Sequence, residues 1–352
     1  MTGATEQLRV GVVGAGANTR KFHIPGFQKI DGVEVVSVAN RSRESGERVA
    51  KEFKIPTVYD NWREVVEAPD TNAIMIGTWP YLHCPVTLAA IAAGKHVLTE
   101  ARLAMNAAEA REMLSASRAH PELTCMVVPS PFTLNVDAAI QQRVSEGYLG
   151  EIISIDLRGG AGDFPQQGGQ AHWRQSRALS GSNILNMGIW YEALMRWVGA
   201  ATTVMARTRV VVRQRIGPES GEPRQSTVPD HVEVIADMAC GAIAHLQFSA
   251  VTGLARPPEV WLFGSEGTLR YEQNSRVLSG GRRGDKELTA ITVPAEQQGS
   301  WRVEEEFVNA VRGKEPVRRT TFEDGVRYME FTEAVGRSAM TGKTIPLPLI
   351  GV

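Results

Sequence analysis

The feature that most constrains this chain is the turn Gly14-Ala15-Gly16, set between the apolar run Leu8 to Val13 and a helical stretch to about Lys29. Glycine enters backbone conformations that other residues resist, and a helix that starts on such a turn offers free N–H groups at its positive end. The same alternation then recurs. Strand signals fall at Val33 to Ala39, Val58, Ala73 to Gly77, His96 to Thr99 and Thr124 to Val128. Helical signals fall between them, at Arg43 to Phe53, Asn61 to Glu67, Pro85 to Ala93 and Asn106 to Arg118. Strands separated by helices imply βαβ crossovers and a doubly wound parallel sheet.

The remaining chain has a different rhythm. A helix is expected from Asn135 to Glu146, then strands at Ile152–Arg158, Thr202–Arg213, His231–Met238, Ala242–Val251, Glu259–Gly264 and Gly267–Tyr271. Short turns containing glycine join several of them, which favours an open, largely antiparallel sheet. Helices at Trp301 to Arg312 and Phe322 to Met340 close the chain, and Gly159 to Ser182 and Gly217 to Val228 read as loops over a cleft. A length of 352 residues suits two domains, 1–130 and 131–352.

Composition removes several function classes. Lys plus Arg total 38 against 39 Asp plus Glu, so no basic excess supports a nucleic-acid or membrane surface. Cys84, Cys125 and Cys240 form no CxxC pair, and His120, His231 and His245 have no carboxylate or cysteine at ligand spacing. Neither a disulfide framework nor a metal site is expected. Met1 to Arg9 lacks a signal-peptide pattern and no apolar run nears membrane length, so a cytoplasmic setting is expected.

The glycine turn carries the chemistry. Gly14 suits the tight bend and Gly16 lets the backbone approach a diphosphate, which would rest on Ala17, Asn18 and the helix start. The third glycine of the GxGxxG pattern is Thr19. At the end of the second strand an acid would bind the ribose 2′-OH of NAD; this chain has Asn40-Arg41-Ser42-Arg43 instead. A guanidinium pairs with phosphate, so NADP(H) is expected over NAD(H), against the alternative of a solvated basic turn.

With these residues in view, the chain resembles the glucose–fructose oxidoreductase / inositol dehydrogenase / rhizopine-catabolism (Gfo/Idh/MocA) family. The resemblance rests on GVVGAGANTRKFHIPGF at Gly11–Phe27, Thr78-Trp79-Pro80 with His83, and AAGKHVLTEARLAMN at Ala92–Asn106. It continues through GYLGEI at Gly147–Ile152, NMGIWYEALMRWVG at Asn186–Gly199, and the tail from Phe307 to Pro348. It implies a Rossmann domain followed by an α/β domain whose open sheet commonly forms homodimers or homotetramers. It also implies a nicotinamide at the carboxyl ends of the parallel strands, near Thr78, Trp79, His83 and Glu100, with a small-molecule substrate in the second domain. His23 is expected to pack near the cofactor, and His96 to be structural.

This sequence departs from that pattern where the family does its chemistry. The fifth strand usually ends Glu-Lys-Pro, but here Glu100-Ala101-Arg102 follows, and a methyl group cannot stabilise an alkoxide. The acid and the histidine base of the second domain align with Asn186 and Trp190, and a further acid with Ala193. An indole accepts no proton near neutrality. Candidate replacements are Tyr191, beside Trp190 on one helix, His172 in the loop with Asp163, and Arg102. Trp173 and Arg174 match a pair that lines the family's substrate pocket, and Trp79 and Trp190 read either as aromatic walls or as core. Three functions stay open: an oxidoreductase for a carbohydrate-like or ring alcohol or carbonyl; a hydrolase or lyase with a permanently held nicotinamide; and a silent NADP or metabolite sensor.

Overall fold

The computed structural model describes residues 7–160, 162–217 and 221–350. Residues 1–6 of the leader reading, Ala161 of the first expected loop and 218–220 of the second lie outside the described residues. The chain divides into two compact units, Met1–Pro129 with Arg302–Val326, and Ser130–Trp301 with Arg327–Val352.

The first unit is built on six parallel strands: β1 Leu8–Val13, β2 Val33–Ala39, β3 Thr57–Val58, β4 Ala73–Ile76, β5 His96–Thr99 and β6 Cys125–Val127. Their order is β3-β2-β1-β4-β5-β6, the arrangement of the Rossmann fold, which reverses direction between β1 and β4. All four residues of β4 are buried, as expected of a central parallel strand covered on both faces. The intervening helices start where asparagine and serine supply caps. The Ser42 hydroxyl accepts from the Ser45 N–H ahead of α2 (Arg43–Phe53). Asn61 accepts from the Arg63 and Glu64 amides ahead of α3 (Trp62–Glu67), α4 (His83–Ala92) follows β4, and Asn106 accepts from the Glu109 amide ahead of α5 (Ala107–Ala119). A helical turn at Thr19–His23 runs into α1 (Ile24–Phe27), so the first helix ends just short of its expected length. The returning helix α9 (Val303–Val311) meets α1, with Phe27 and Phe307 edge to face at 6.2 Å.

The second unit carries a nine-stranded sheet. Its strands are β7 (Ile152–Gly160), β8 (Ala201–Arg209), β11 (His231–Met238), β12 (Ile243–Ser249), β13 (Glu259–Gly264), β14 (Gly267–Glu272), β15 (Val277–Arg282), β16 (Thr289–Ala290) and β17 (Ile345–Pro346). Only the β7–β12 pair is parallel. Along β11, Val232, Val234, Ala236 and Met238 are buried while the residues between them are not, the signature of a sheet with one covered face. The helices α6 (Asp137–Ser145), α7 (Arg177–Ser180) and α8 (Met187–Val198) belong to this unit. Three expectations need correcting. The loop expected at Gly159 to Ser182 begins inside β7, which runs to Gly160, and holds a helical turn at Arg177–Ser180. The strand begun at Thr202 ends at Arg209, short of Arg213. Within the loop expected at Gly217 to Val228, Pro223–Gln225 (β10) pairs with Gln214–Ile216 (β9) as a separate ribbon.

Candidate active site

A cleft of about 560 Å³ opens in the first unit where the strand order reverses. Gly14, Ala15 and Gly16 line it from the turn after β1, Asn40 and Arg41 from the end of β2, Ser45 from α2, and Gly77, Thr78 and Trp79 from the end of β4. Gly14 has φ +84°, and a Cβ there would lie 2.5 Å from Thr78 Cγ2 and 2.9 Å from the Thr78 amide nitrogen. Gly77 is equally constrained, because an added Cβ would fall 2.0 Å from Thr19 Oγ1 and 2.3 Å from the Gly14 carbonyl. This explains how Thr19 stands where a third glycine is usual: the close approach is made by Gly77 instead. The buried Thr19 hydroxyl donates to the Gly14 carbonyl at 3.3 Å. At Gly16 a Cβ would meet nothing nearer than 3.5 Å, and Gly16, Ala17 and Asn18 are exposed. The loop is therefore crowded against protein on one side and open on the other. The buried Thr78 hydroxyl has no hydrogen-bond partner.

The NRSR turn is less uniform than its sequence suggests. The Asn40 side chain accepts from the Ala15 N–H at 2.7 Å and donates to Ser45 Oγ at 3.0 Å, so it braces the glycine turn. Ser42 caps α2. Arg43 turns to Asp60 at 2.8 Å and to Glu47 at 3.1 Å, and Asp60 first, then Glu47, raise its already high pKa. Arg41 lines the cleft.

His83 is fully buried, with Nδ1 2.9 Å from the Arg102 carbonyl and Nε2 3.0 Å from the Thr78 carbonyl. Burial pushes its pKa down, so the neutral ring donates to one of the two. It thus ties the loop after β4 to the loop after β5. Arg102 is itself only 3% exposed. Glu100, at the end of β5, hydrogen-bonds the Asn18 side chain and His23.

In the second unit the three neighbours on α8 are all buried: Trp190 is 0%, Tyr191 1% and Glu192 4% exposed. The Tyr191 hydroxyl accepts from the Ala201 N–H at 2.8 Å, and its ring stacks on Phe331 at 3.7 Å. Burial pushes its phenol pKa far up, so it holds its proton. Trp190 leans on Phe132 at 4.9 Å, and Gly159 makes room for it, since a Cβ there would sit 2.5 Å from the indole. The Trp190 indole N–H and the Asn186 carboxamide oxygen are buried without partners. His172 is exposed and its Nδ1 accepts from the Arg174 amide, which leaves an N–H on Nε2 of the neutral ring. Partial burial, then Arg174, lower its pKa. The Arg174 guanidinium covers the Trp173 ring at 4.3 Å.

Sequence reasoning missed Glu304, which bonds His23 from 281 residues away. It also missed Gly77, Asp60 and Trp62 as lining of the cleft. The signal available for Gly77 was its place at the end of a buried strand.

Residues 8–128 match the family model described as "Oxidoreductase family, NAD-binding Rossmann fold", and residues 138–270 match the GFO/IDH/MocA C-terminal domain. The chain belongs to the Gfo/Idh/MocA oxidoreductase family. Among this family's curated members, the chain is 34% identical to 1,5-anhydro-D-fructose reductase of Ensifer adhaerens, over 50% of this chain and 52% of the reductase. That match spans about half of either protein. Trans-1,2-dihydrobenzene-1,2-diol dehydrogenase of Mus musculus is 25% identical over 76% of this chain and 75% of its own. A levoglucosan dehydrogenase structure in complex with NADH and L-sorbose has a TM-score of 0.86 at 20% identity, covering 98% of this chain and all of that one, a likeness of fold. No helix among the described residues is long and apolar enough to cross a membrane, and no group of three His, Cys, Asp or Glu among them could hold a metal ion.

Proposed function

We propose that this Gfo/Idh/MocA member is an NADP(H)-dependent oxidoreductase acting on a carbohydrate-like or ring alcohol or carbonyl. The observation that carries the reading is the cleft at the switch point, walled by a glycine turn that crowding fixes on one side and leaves open on the other. A nicotinamide dinucleotide fits that cleft. Gly14, Gly16, Ala17 and Asn18 would hold its diphosphate, and Arg41 with Ser42 the 2′-phosphate. Thr78, whose buried hydroxyl lacks a partner, would stand with Trp79 and Glu100 toward the nicotinamide. When bound, the cofactor supplies or takes up a hydride. NAD(H) is the lesser candidate, because Arg41 lines the cleft and no acid stands at the end of β2 to hold a ribose 2′-OH; Arg43, engaged by Asp60 and Glu47, adds little to that preference.

On the substrate side, the unpartnered Asn186 oxygen is an acceptor suited to a hydroxyl-bearing ligand, with Trp173 and Arg174 as aromatic and cationic lining, while the fully buried Trp190 is read as core. His172 is the candidate proton carrier, through its Nδ1 once that atom gives up the Arg174 amide. Tyr191 and Arg102 drop out of the chemistry in this reading, the first as a packing phenol and the second as a buried side chain. The dehydrogenase and reductase relatives support sugars, polyols and dihydrodiols as the substrate class. The three free thiols suit a cytoplasmic setting. Met205, Ile235 and Ile243 stand exposed on the neighbouring strands β8, β11 and β12 of the large sheet, with Phe263 exposed on β13 beyond β7, which supports a homodimer or homotetramer through that face.

Absorbance of the reduced nicotinamide, followed with NADP⁺ or NADPH and a panel of sugars, cyclitols, dihydrodiols and their carbonyl partners, tests the reading. Turnover with at least one member is expected, and His172→Gln should lower kcat while leaving cofactor affinity unchanged. No redox change with any member would contradict it. Ala101 and the buried Trp190, where the family has lysine and histidine, favour one second reading: a hydrolase or lyase that keeps its nicotinamide. Its mark is bound cofactor that stays unchanged while product accumulates.

A further inference from the structure

His23 lies between two carboxylates drawn from distant parts of the chain. Its Nδ1 is 2.5 Å from Glu304 Oε1 on α9, and its Nε2 is 3.1 Å from Glu100 Oε1 at the end of β5. The ring is fully buried and both nitrogens face carboxylate oxygens, so the imidazolium, with two N–H donors, satisfies both carboxylates in their ionised form. Burial alone would lower the pKa of His23, but Glu100 and then Glu304 override it and push it up to about 9. Burial would likewise raise that of Glu100; His23 first, with His83 and Asn18 behind it, holds it below the usual carboxylate range. The fit is close, since a Cβ on Gly26 would lie 2.7 Å from Glu304 Cδ.

This arrangement supplies what the sequence around Glu100 lacks. The residue after it is Ala101, which offers a backbone N–H to Glu100 Oε2 at 3.2 Å and no ammonium. We propose that Glu304 is a positioning residue: through His23 it keeps Glu100 charged and turned toward Asn18, and so braces the nicotinamide end of the cofactor site. The proposal rests on the reading that Glu100 borders that site. Loss of the His23 proton would leave two buried carboxylates sharing one N–H, and Glu100 would have to turn away or take up a proton. Cofactor affinity should therefore fall as the ring titrates.

The test follows the His23 ring by NMR in protein carrying ¹⁵N-labelled histidine, from neutrality to above pH 9, with His23→Gln giving the assignment. Binding of NADPH and NADH is measured over the same range by quenching of tryptophan fluorescence. Wild-type protein should keep the imidazolium to about pH 9, with affinity falling at the same midpoint. Glu304→Gln should lower both midpoints together by about one pH unit, a roughly tenfold weaker hold on the proton, and Glu304→Asp should restore part of the shift. A ring that is neutral in wild-type protein at neutral pH, or that titrates with no change in affinity, would overturn the positioning role alone. Absence of binding by either dinucleotide at every pH would overturn the functional reading and the positioning role with it.

Discussion

In the first unit a histidine bridges Glu100 and Glu304; in the second an arginine bridges Asp137 and Glu192. Both clusters place one buried cation between two carboxylates, but the cations differ in kind. Arg196 hydrogen-bonds Asp137, reaches Glu192 at 2.8 Å and donates to the Ser130 carbonyl at 2.9 Å. Trp197 and Thr133 add bonds to Asp137 at 2.8 and 2.7 Å. A guanidinium does not lose its proton in a protein, so this cluster is a fixed clamp on α8. His23 can lose its proton, and its cluster ends at the edge where the cofactor is proposed to bind. A third trio, Arg43 with Asp60 and Glu47, repeats the pattern at the surface, where solvent screens it. The comparison separates three uses of one motif: rigid anchoring, a titratable support, and a weak surface tie beside the cleft.

The largest effect is expected from breaking the fixed clamp. Arg196→Met leaves two buried carboxylates without their cation and should cost about 3–5 kcal/mol in urea unfolding. That loss should be the same at neutral pH and at pH 9; a loss under about 1 kcal/mol would show the clamp to be dispensable. His23→Gln should cost a few kcal/mol at neutral pH, at about 1.36 kcal/mol per unit of raised pKa. Its sign with pH is set by the histidine. The folded value, about 9, lies above the ordinary 6.5, so the contribution is full below pH 6.5 and fades as pH rises through about 9. Wild type and variant should converge in stability at the alkaline end, and a gap that stays constant would mean the ring is not charged. Smallest is Asp60→Asn, which should change stability by less than about 0.5 kcal/mol. By freeing Arg43 it should raise the preference for NADP⁺ over NAD⁺ several-fold, more strongly at low salt. An unchanged ratio in titration calorimetry would leave Arg41 as the sole candidate for the 2′-phosphate.

Much of the fold was legible because local signals agreed. Arg43–Phe53, His96–Thr99, His231–Met238 and Glu259–Gly264 fall where capping residues, β-branched runs and alternation place them. The strand Val277–Arg282 was not seen, since two glycines in six residues hide its pattern, and Thr289–Ala290 and Ile345–Pro346 are too short to carry one. The glycine turn and the cleft beside it were legible, but the fate of each polar side chain was not. Asn40 and Arg43 look like cofactor contacts in a linear reading, and their partners Ala15, Asp60 and Glu47 are set by tertiary structure. On α8 Trp190, Tyr191 and Glu192 are all buried, so neither adjacency nor burial picks out one of them for the site. The His23–Glu304 contact spans 281 residues, and no local pattern announces it.

The central claim is that the glycine-walled cleft of the first unit holds a nicotinamide dinucleotide. Titration calorimetry of wild-type protein and Gly14→Ala with NADPH tests it most directly. The φ of +84° and the 2.5 Å approach to Thr78 leave no place for a methyl group at Gly14 without moving the turn. Saturable binding by wild type, with at least about tenfold weaker binding by a folded Gly14→Ala protein, is the result predicted. Wild-type protein that binds neither NADPH nor NADH, or a variant that binds as tightly as wild type, would contradict it.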